Sequence, residues 1–248
     1  MHRCDAVVLA TRPLGEADLL VVLFTAEHGK VRAAAKAARK SRRRFAGGVG
    51  GGAVGVAELA PRGQSLWRLE SFVPRLDHAA LGRDLTKLAH VAYLCELTDV
   101  LVDDHHPEPE LFAALAGELA VEIASGPDAI CLRRYELALL QALGHLPALS
   151  DCCVCGGAVA ADDVPFDAVR GGVLCPTHAG AASRVAASVL EAAKQLLAGE
   201  SAGTWSPELR RSLRDLTSAQ LRPLLHRPLR SIAFFAQIAA AGEVDGGR

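Results

Sequence analysis

The stretch Leu19-Leu20-Val21-Val22-Leu23-Phe24-Thr25-Ala26-Glu27-His28-Gly29-Lys30-Val31-Arg32-Ala33-Ala34-Ala35-Lys36 decides the fold. Leu19–Thr25 is apolar with β-branched members, which suits a strand. His28-Gly29 forms a turn, with glycine accepting positive φ. The chain then alternates: Lys30, Arg32 and Lys36 share one face, and Val31, Ala33 and Ala35 share the other. Ala34 is a small filler on the basic face. A strand–turn–strand unit therefore presents a row of cations on a folded surface.

Working outward, Ala6–Thr11 reads as a short apolar strand, and Arg12–Asp18 as a loop with turn residues. Ala53–Ala60 and Leu66–Val73 read as two more strands, joined by the turn Pro61-Arg62-Gly63-Gln64. Five short strands in about 75 residues suit a small closed barrel such as the OB-fold. A three-stranded meander plus a hairpin would give the same pattern. Phe45–Gly55 is glycine-rich, so the fourth strand is expected to start late after a mobile loop.

Past Pro74 the period changes. Leu81, Leu85, Leu88, Ala92 and Cys95 recur at three and four, a helical stripe through about Val102. Asp103-Asp104-His105-His106-Pro107 breaks it and reads as a solvated loop. Pro109 and Glu110 open a second helix to about Ser125, and a third runs from Pro127 to Leu143, ended by Gly144. Residues 150–180 are loop-rich. Helices resume over Ala182–Ala198, restart at Ser206-Pro207-Glu208, and finish with Pro228–Ala240. The expected class is α+β and multidomain: a barrel over 1–75, helical parts over 76–150 and 181–243, and a metal module over 151–180.

Charge is divided unevenly. Residues 1–75 hold 13 Lys+Arg against 6 Asp+Glu, and the remainder holds 14 against 22, although the whole chain is at −1. No Asp or Glu occurs between Glu27 and Glu58. A concentrated basic segment on a neutral protein is the footprint of a phosphate-backbone binder. The candidate nucleic-acid-binding residues are Lys30, Arg32, Lys36, Arg39, Lys40, Arg42, Arg43 and Arg44. Phe45 and Trp67 are the only aromatic side chains nearby that suit base stacking, so electrostatics should lead the binding. Arg133 and Arg134 beside Leu137 on the third helix suit an acidic, hydrophobic peptide tail.

The seven cysteines include Cys152-x-x-Cys155, which precedes Cys175-x-x-His178. Two short-spaced pairs of thiol and imidazole ligands fit tetrahedral zinc in a closed, structural site. Cys153-x-Cys155 offers another register. Cys4, Cys95 and Cys131 sit singly in apolar patterns and read as core. No P-loop, nucleophile elbow or His-Glu-x-x-His helix occurs, so no enzyme class is indicated. No segment approaches the roughly 20 apolar residues of a membrane helix. Met1-His2-Arg3-Cys4-Asp5 does not resemble a signal peptide, and a cytoplasmic protein is expected.

Taken in order, several fragments form a specific series: Val7-Val8-Leu9, Gly15-Glu16-Ala17-Asp18-Leu19-Leu20, Leu23-Phe24-Thr25, His28-Gly29-Lys30, Ala35-Lys36-Ala37-Ala38-Arg39-Lys40, Arg134-Tyr135-Glu136-Leu137, Phe166-Asp167, Gly171-Gly172, Leu174-Cys175 and Leu229-Arg230-Ser231. The series resembles the RecO family of bacterial DNA repair and recombination mediators. His178 departs from the four cysteines usual in the family's zinc-bearing members. The resemblance implies an N-terminal OB-fold, a helical body and an inserted zinc module. It also implies a protein of the RecF pathway that binds single- and double-stranded DNA and anneals complementary strands. With RecR, such a protein helps load RecA on strands coated by single-stranded DNA-binding protein, whose C-terminal tail docks on the helical body. Nucleoid association in the cytoplasm would follow. An RNA-binding or transcription-associated adaptor would carry the same barrel and zinc module.

Overall fold

The structure is a computed structural model. It describes residues 1–41, 43–45, 48–62, 66–76, 81, 84–200 and 204–245, with side chains described through residue 238. Two compact units form: Met1–Asp128 with Arg227–Arg248, and Ala129–His226.

The first unit is built on five strands, β1 (His2–Leu14), β2 (Asp18–Thr25), β3 (Gly29–Ala35), β4 (Val54–Arg62) and β5 (Leu66–Pro74). They close into a barrel in the order β1-β2-β3-β5-β4. All pairings are antiparallel except β3 with β5, where Ala33 faces Trp67 and Ala34 faces Arg68. This is the OB-type closure expected, not a meander with a separate hairpin. Val21 and Leu23, Val31, Ala33 and Ala35, Ala57 and Leu59 point inward with Phe72 and Phe45. Small alanines alternating with larger side chains fill a narrow barrel.

The runs Val7-Val8-Leu9 and Val21-Val22-Leu23-Phe24 do not alternate in polarity because both of their faces are buried. The second face is covered by helices α1 (Leu85–Leu101) and α2 (Pro109–Ser125). Phe24 meets Phe112 of α2 with ring centroids 6.0 Å apart. Asp84 caps α1, accepting from the amides of Thr86 and Lys87 at 2.9 and 3.0 Å, so the regular helix starts at Leu85. The unit is completed by the last helix, here α6 (Arg230–Asp245). Glu96 of α1 accepts from Arg230 N (3.1 Å), Ser231 N (2.8 Å) and Ser231 Oγ (2.8 Å). One carboxylate thereby satisfies the open first turn of α6. Burial opposes its charge, but these hydrogen bonds and the one from Arg227 win and hold its pKa below the ordinary value.

The second unit contains α3 (Ala129–Ala142), a three-stranded sheet, α4 (Ala187–Leu197) and α5 (Pro207–Leu221). The sheet has the order β7 (Gly172–Val173), β6 (Asp163–Asp167), β8 (Ser183–Ala186). Its residues Val164, Phe166 and Val173 share a core with Leu137, Leu190, Leu196, Leu213 and Leu216. The expected helix over Ala182–Ala198 is therefore strand first and helix afterwards. Ser206 caps α5 by accepting from Leu209 N at 3.2 Å, with Pro207 in the first turn, as read from the sequence. Among the described residues no helix is long and apolar enough to cross a membrane.

Gly29 is the tightest point of the barrel hairpin. Its φ is +64°, and a Cβ there would strike the backbone of His106. Gly29→Ala is expected to lower stability by about 2–4 kcal/mol, from left-handed strain plus overpacking, read as a lower urea midpoint at unchanged m.

Candidate nucleic-acid interface and metal centre

The alternation of β3 is present, but its basic face does not open to solvent along its whole length. Lys30 is 4% exposed. Its Nζ donates to the Asp99 carbonyl at 2.6 Å and lies 3.7 Å from Asp99 Oδ1 and 3.2 Å from Asp104 Oδ1. Arg32 Nε donates to Asp104 Oδ2 at 3.0 Å and stays half-exposed. The backbone reinforces the contact, because His105 N donates to Lys30 O at 2.9 Å. Lys30 is thus a structural cation under the end of α1, which corrects its expected place in an open groove. Partial burial pushes the Asp104 carboxyl upward, but hydrogen bonds and charge from Arg32 and Lys30 outweigh it and hold the pKa down. Asp104, read as part of a solvated loop, is in fact pinned to the barrel.

The exposed positive charge sits in the turns after β3. Lys36, Arg39, Lys40 and Arg43 are exposed, and Arg44 is half-buried. Arg42 lies outside the described residues. Asp18 organises the base of this loop. It accepts from Ala37 N at 2.8 Å and from Lys36 Nζ at 2.6 Å, and these bonds, the backbone one foremost, hold its carboxyl below the usual range. Ala37 adopts φ 55°, so the chain turns sharply there. Arg39 N donates to Ala17 O at 3.1 Å, and Arg44 donates to Lys36 O at 2.6 Å. The side chains of Lys40 and Arg43 have no hydrogen-bond or ion-pair partner among the described residues. Asp18 appeared in the sequence only as one letter of a familiar run, and nothing local marked it as the loop's anchor.

Phe45 is not a stacking platform. It is 4% exposed, inside the barrel core, with the Arg44 guanidinium 5.3 Å from its ring centroid. Trp67 is partly buried and packs on that core. His28 at 5.1 Å, His2 at 5.6 Å and His105 at 6.2 Å surround it by ring centroid. On α3, Arg133 is 8% exposed and pairs with buried Glu136 at 2.7 Å, and Leu137 is 1% exposed. Of the three residues expected to meet a peptide, only Arg134 reaches solvent.

The metal-type residues converge. One ligand atom each from Cys152, Cys155, Cys175 and His178 falls within 4.8 Å of all the others. Cys152 N donates to Gly157 O and Gly156 N to Cys152 O, both at 2.8 Å, which folds the first knuckle. Gly172, at φ +148°, lies against the Ala148 backbone and brings the return hairpin close. Cys153 is outside the set, and its amide donates to Val173 O at 2.9 Å. Backbone N–H groups of Cys175, Cys155 and Val154, with the His178 ring, bring the Cys152 thiol down to about 5, despite burial. A lowered thiol favours the thiolate form that ligates metal. Three thiols and an imidazole in this arrangement can hold a metal ion of tetrahedral preference.

Comparison with known proteins places the chain. The family model Recombination protein O N terminal matches residues 1–73, and Recombination protein O C terminal matches residues 82–233. The chain belongs to the RecO family. It is 38% identical over 244 residues to the DNA repair protein RecO of Anaeromyxobacter sp. (strain K), covering 95% of this chain and 96% of that one. The Myxococcus xanthus (strain DK1622) protein of the same name is 37% identical over 237 residues, covering 94% and 96%. That of Geobacter sulfurreducens is 34% identical over 242 residues, covering 96% and 99%.

Metal analysis checks the cluster. Cys175→Ala is expected to abolish binding of one metal equivalent, and Cys153→Ser to leave it intact. Because protons compete for the thiolates, bound metal should be released to an indicator dye as pH falls through about 5, the printed position of Cys152, and retained above it.

Proposed function

We propose that this chain is a non-enzymatic DNA repair and recombination mediator of the RecF pathway. It holds strands by their phosphate backbones and pairs them. The observation that carries this reading is the exposed loop of Lys36, Arg39, Lys40, Arg43 and Arg44, anchored by Asp18 on a closed barrel. A phosphate-binding loop has weak sequence preference and serves single and double strands alike. Screening phosphate repulsion between two strands lowers the barrier to annealing without any bond chemistry. Family membership supports the further roles: action on strands coated by single-stranded DNA-binding protein, contact with its acidic tail, and loading of RecA together with RecR in the cytoplasm, at the nucleoid. Arg134 is the one residue of the α3 trio positioned to meet such a tail. The Cys152, Cys155, Cys175 and His178 set supplies four ligands, enough to fill a tetrahedral shell, and suits one structural zinc, which would hold the knuckles together and take no part in strand binding.

Annealing of complementary strands coated by single-stranded DNA-binding protein tests the reading. Acceleration is expected; no acceleration, with binding to RNA alone, would favour the adaptor role instead. Replacing Lys36, Arg39, Lys40 and Arg43 by Ala should weaken DNA binding and flatten the log–log salt dependence by about 3, at roughly 0.7–0.9 per lost phosphate contact. Lys30→Met should leave that slope unchanged but cost about 3–5 kcal/mol of stability, because Asp99 loses its buried partner. A salt titration and a urea melt read the two effects separately.

A further inference from the structure

A cleft of about 520 Å³ opens within the first unit, between the end of β1 and the helices α1 and α6. Its bottom is apolar. Leu9 and Val91 are buried there, and Leu88, Ala92 and Phe234 stay partly open to it. Its rim is cationic, because Arg12, Arg227 and Arg230 line it from opposite ends of the chain. Helical spacing builds the two walls: Leu88, Ala92 and Glu96 recur at i,i+4 on α1, and Arg230 and Phe234 do so on α6. The size falls within the roughly 300–1,000 Å³ of small-ligand pockets.

The two carboxylates of the cleft are already committed. Glu96 accepts from the first turn of α6 and from Arg227 at 3.0 Å, and Asp99 is held at Lys30. The side chains of Arg12 and Arg230 are exposed and have no hydrogen-bond or ion-pair partner among the described residues. Two uncommitted guanidinium groups over an apolar bottom suit a ligand that is anionic on one side and flat and apolar on the other. Guanidinium forks match phosphate oxygens, and a partly open ring such as Phe234 is a stacking surface for a base. The position of Arg12 says which polyanion arrives there. Two residues beyond it in β1, Leu14 pairs with Asp18, the anchor of the cationic loop after β3. At about 3.4 Å per residue that is about 7 Å, or two phosphates of one strand. A nucleic-acid strand lying on the loop is thereby led to the cleft.

We infer that this cleft takes one nucleotide of a bound single strand, with phosphates on Arg12 and Arg230 and the base on Leu88, Ala92 and Phe234. The inference rests on the reading of the loop after β3 as a strand binder and extends it. The loop meets only backbone and treats single and double strands alike. In a duplex the bases are paired and stacked, so reaching the bottom of the cleft carries the cost of extruding one. The cleft therefore gives the protein a preference for single strands that the loop lacks. It also makes the last helix of the chain part of the strand-binding surface.

The test compares an oligothymidylate with a duplex of equal length, on the full chain, by anisotropy across a salt series. R12A/R230A should weaken the single strand roughly tenfold. It should also flatten the single-strand log–log salt slope by about 1.4, two contacts at about 0.7 each, with duplex affinity unchanged. Ala92→Leu, which fills the bottom and leaves the arginines, should weaken the single strand with its slope kept. A urea melt matching the wild type shows each variant folded. A second measurement needs no variant: an oligothymidylate carrying 5-iodouracil should cross-link to α1 or α6 of the wild type on irradiation. Cross-links confined to the loop, or an R12A/R230A protein with unchanged single-strand affinity and slope, overturn the cleft alone. Equal losses for single strand and duplex also overturn it, because the selectivity is then absent. A wild type that binds neither ligand overturns the loop reading as well. Binding of a hexaglutamate peptide ending in phenylalanine that R12A/R230A abolishes, with strand affinity unaltered, reassigns the cleft to an acidic peptide and overturns the strand site.

Discussion

The ammonium of Lys30 is buried, and a buried cation must find negative charge. It finds it at the end of α1 and just beyond, in Asp99 and Asp104. That requirement ties β3 to a helix some seventy residues further along the chain. It fixes the approach of the segment around His105 and His106, which is why Gly29 can carry no side chain. It also sorts the basic run into two kinds. Cations inside the strand are consumed by structure, and those in the turn after it remain for solvent and ligands. The electrostatic character of the surface follows from this division more than from the total count of basic residues.

Much of the barrel was legible because its signals are local. Period-two alternation in Lys30–Lys36, the turn at His28-Gly29 and the apolar runs on either side are each settled by neighbouring residues. The closure could be narrowed only to two architectures, since the β3–β5 pairing is parallel and distant in sequence. The fate of individual side chains was harder to read. Phe45 follows a string of arginines and looks exposed, yet the chain folds back and seats it in the core. Arg133 looks like half of a surface pair, but the uncharged side of its environment is the helical core, and Glu136 on the next turn neutralises it. In both cases the deciding partner is set by tertiary packing.

The second unit shows the same contrast. Ligand spacing in Cys152–Cys155 and Cys175–His178 brought the metal-type residues together correctly, since knuckle geometry depends on two or three intervening residues. The sheet beside it escaped notice. Its strands are short, Pro165 sits inside one, and Ser183–Ala186 lies between alanines that extend the look of the helix that follows. The start of α5 was clear, because Ser206-Pro207-Glu208 carries its capping chemistry in three consecutive residues.

The Glu96 clasp on α6 has a consequence for how the protein is made. Arg230 and Ser231 follow the whole of Ala129–His226, so the second unit is an insertion within the first. On the ribosome, the barrel and its first two helices emerge with the α6 position on α1 vacant. Phe235, which packs on His90 and Tyr93, arrives only after the inserted unit has been synthesised. Completion of the N-terminal unit thus waits on nearly the full length of the chain, and its last folding step brings together segments that translation separated widely in time.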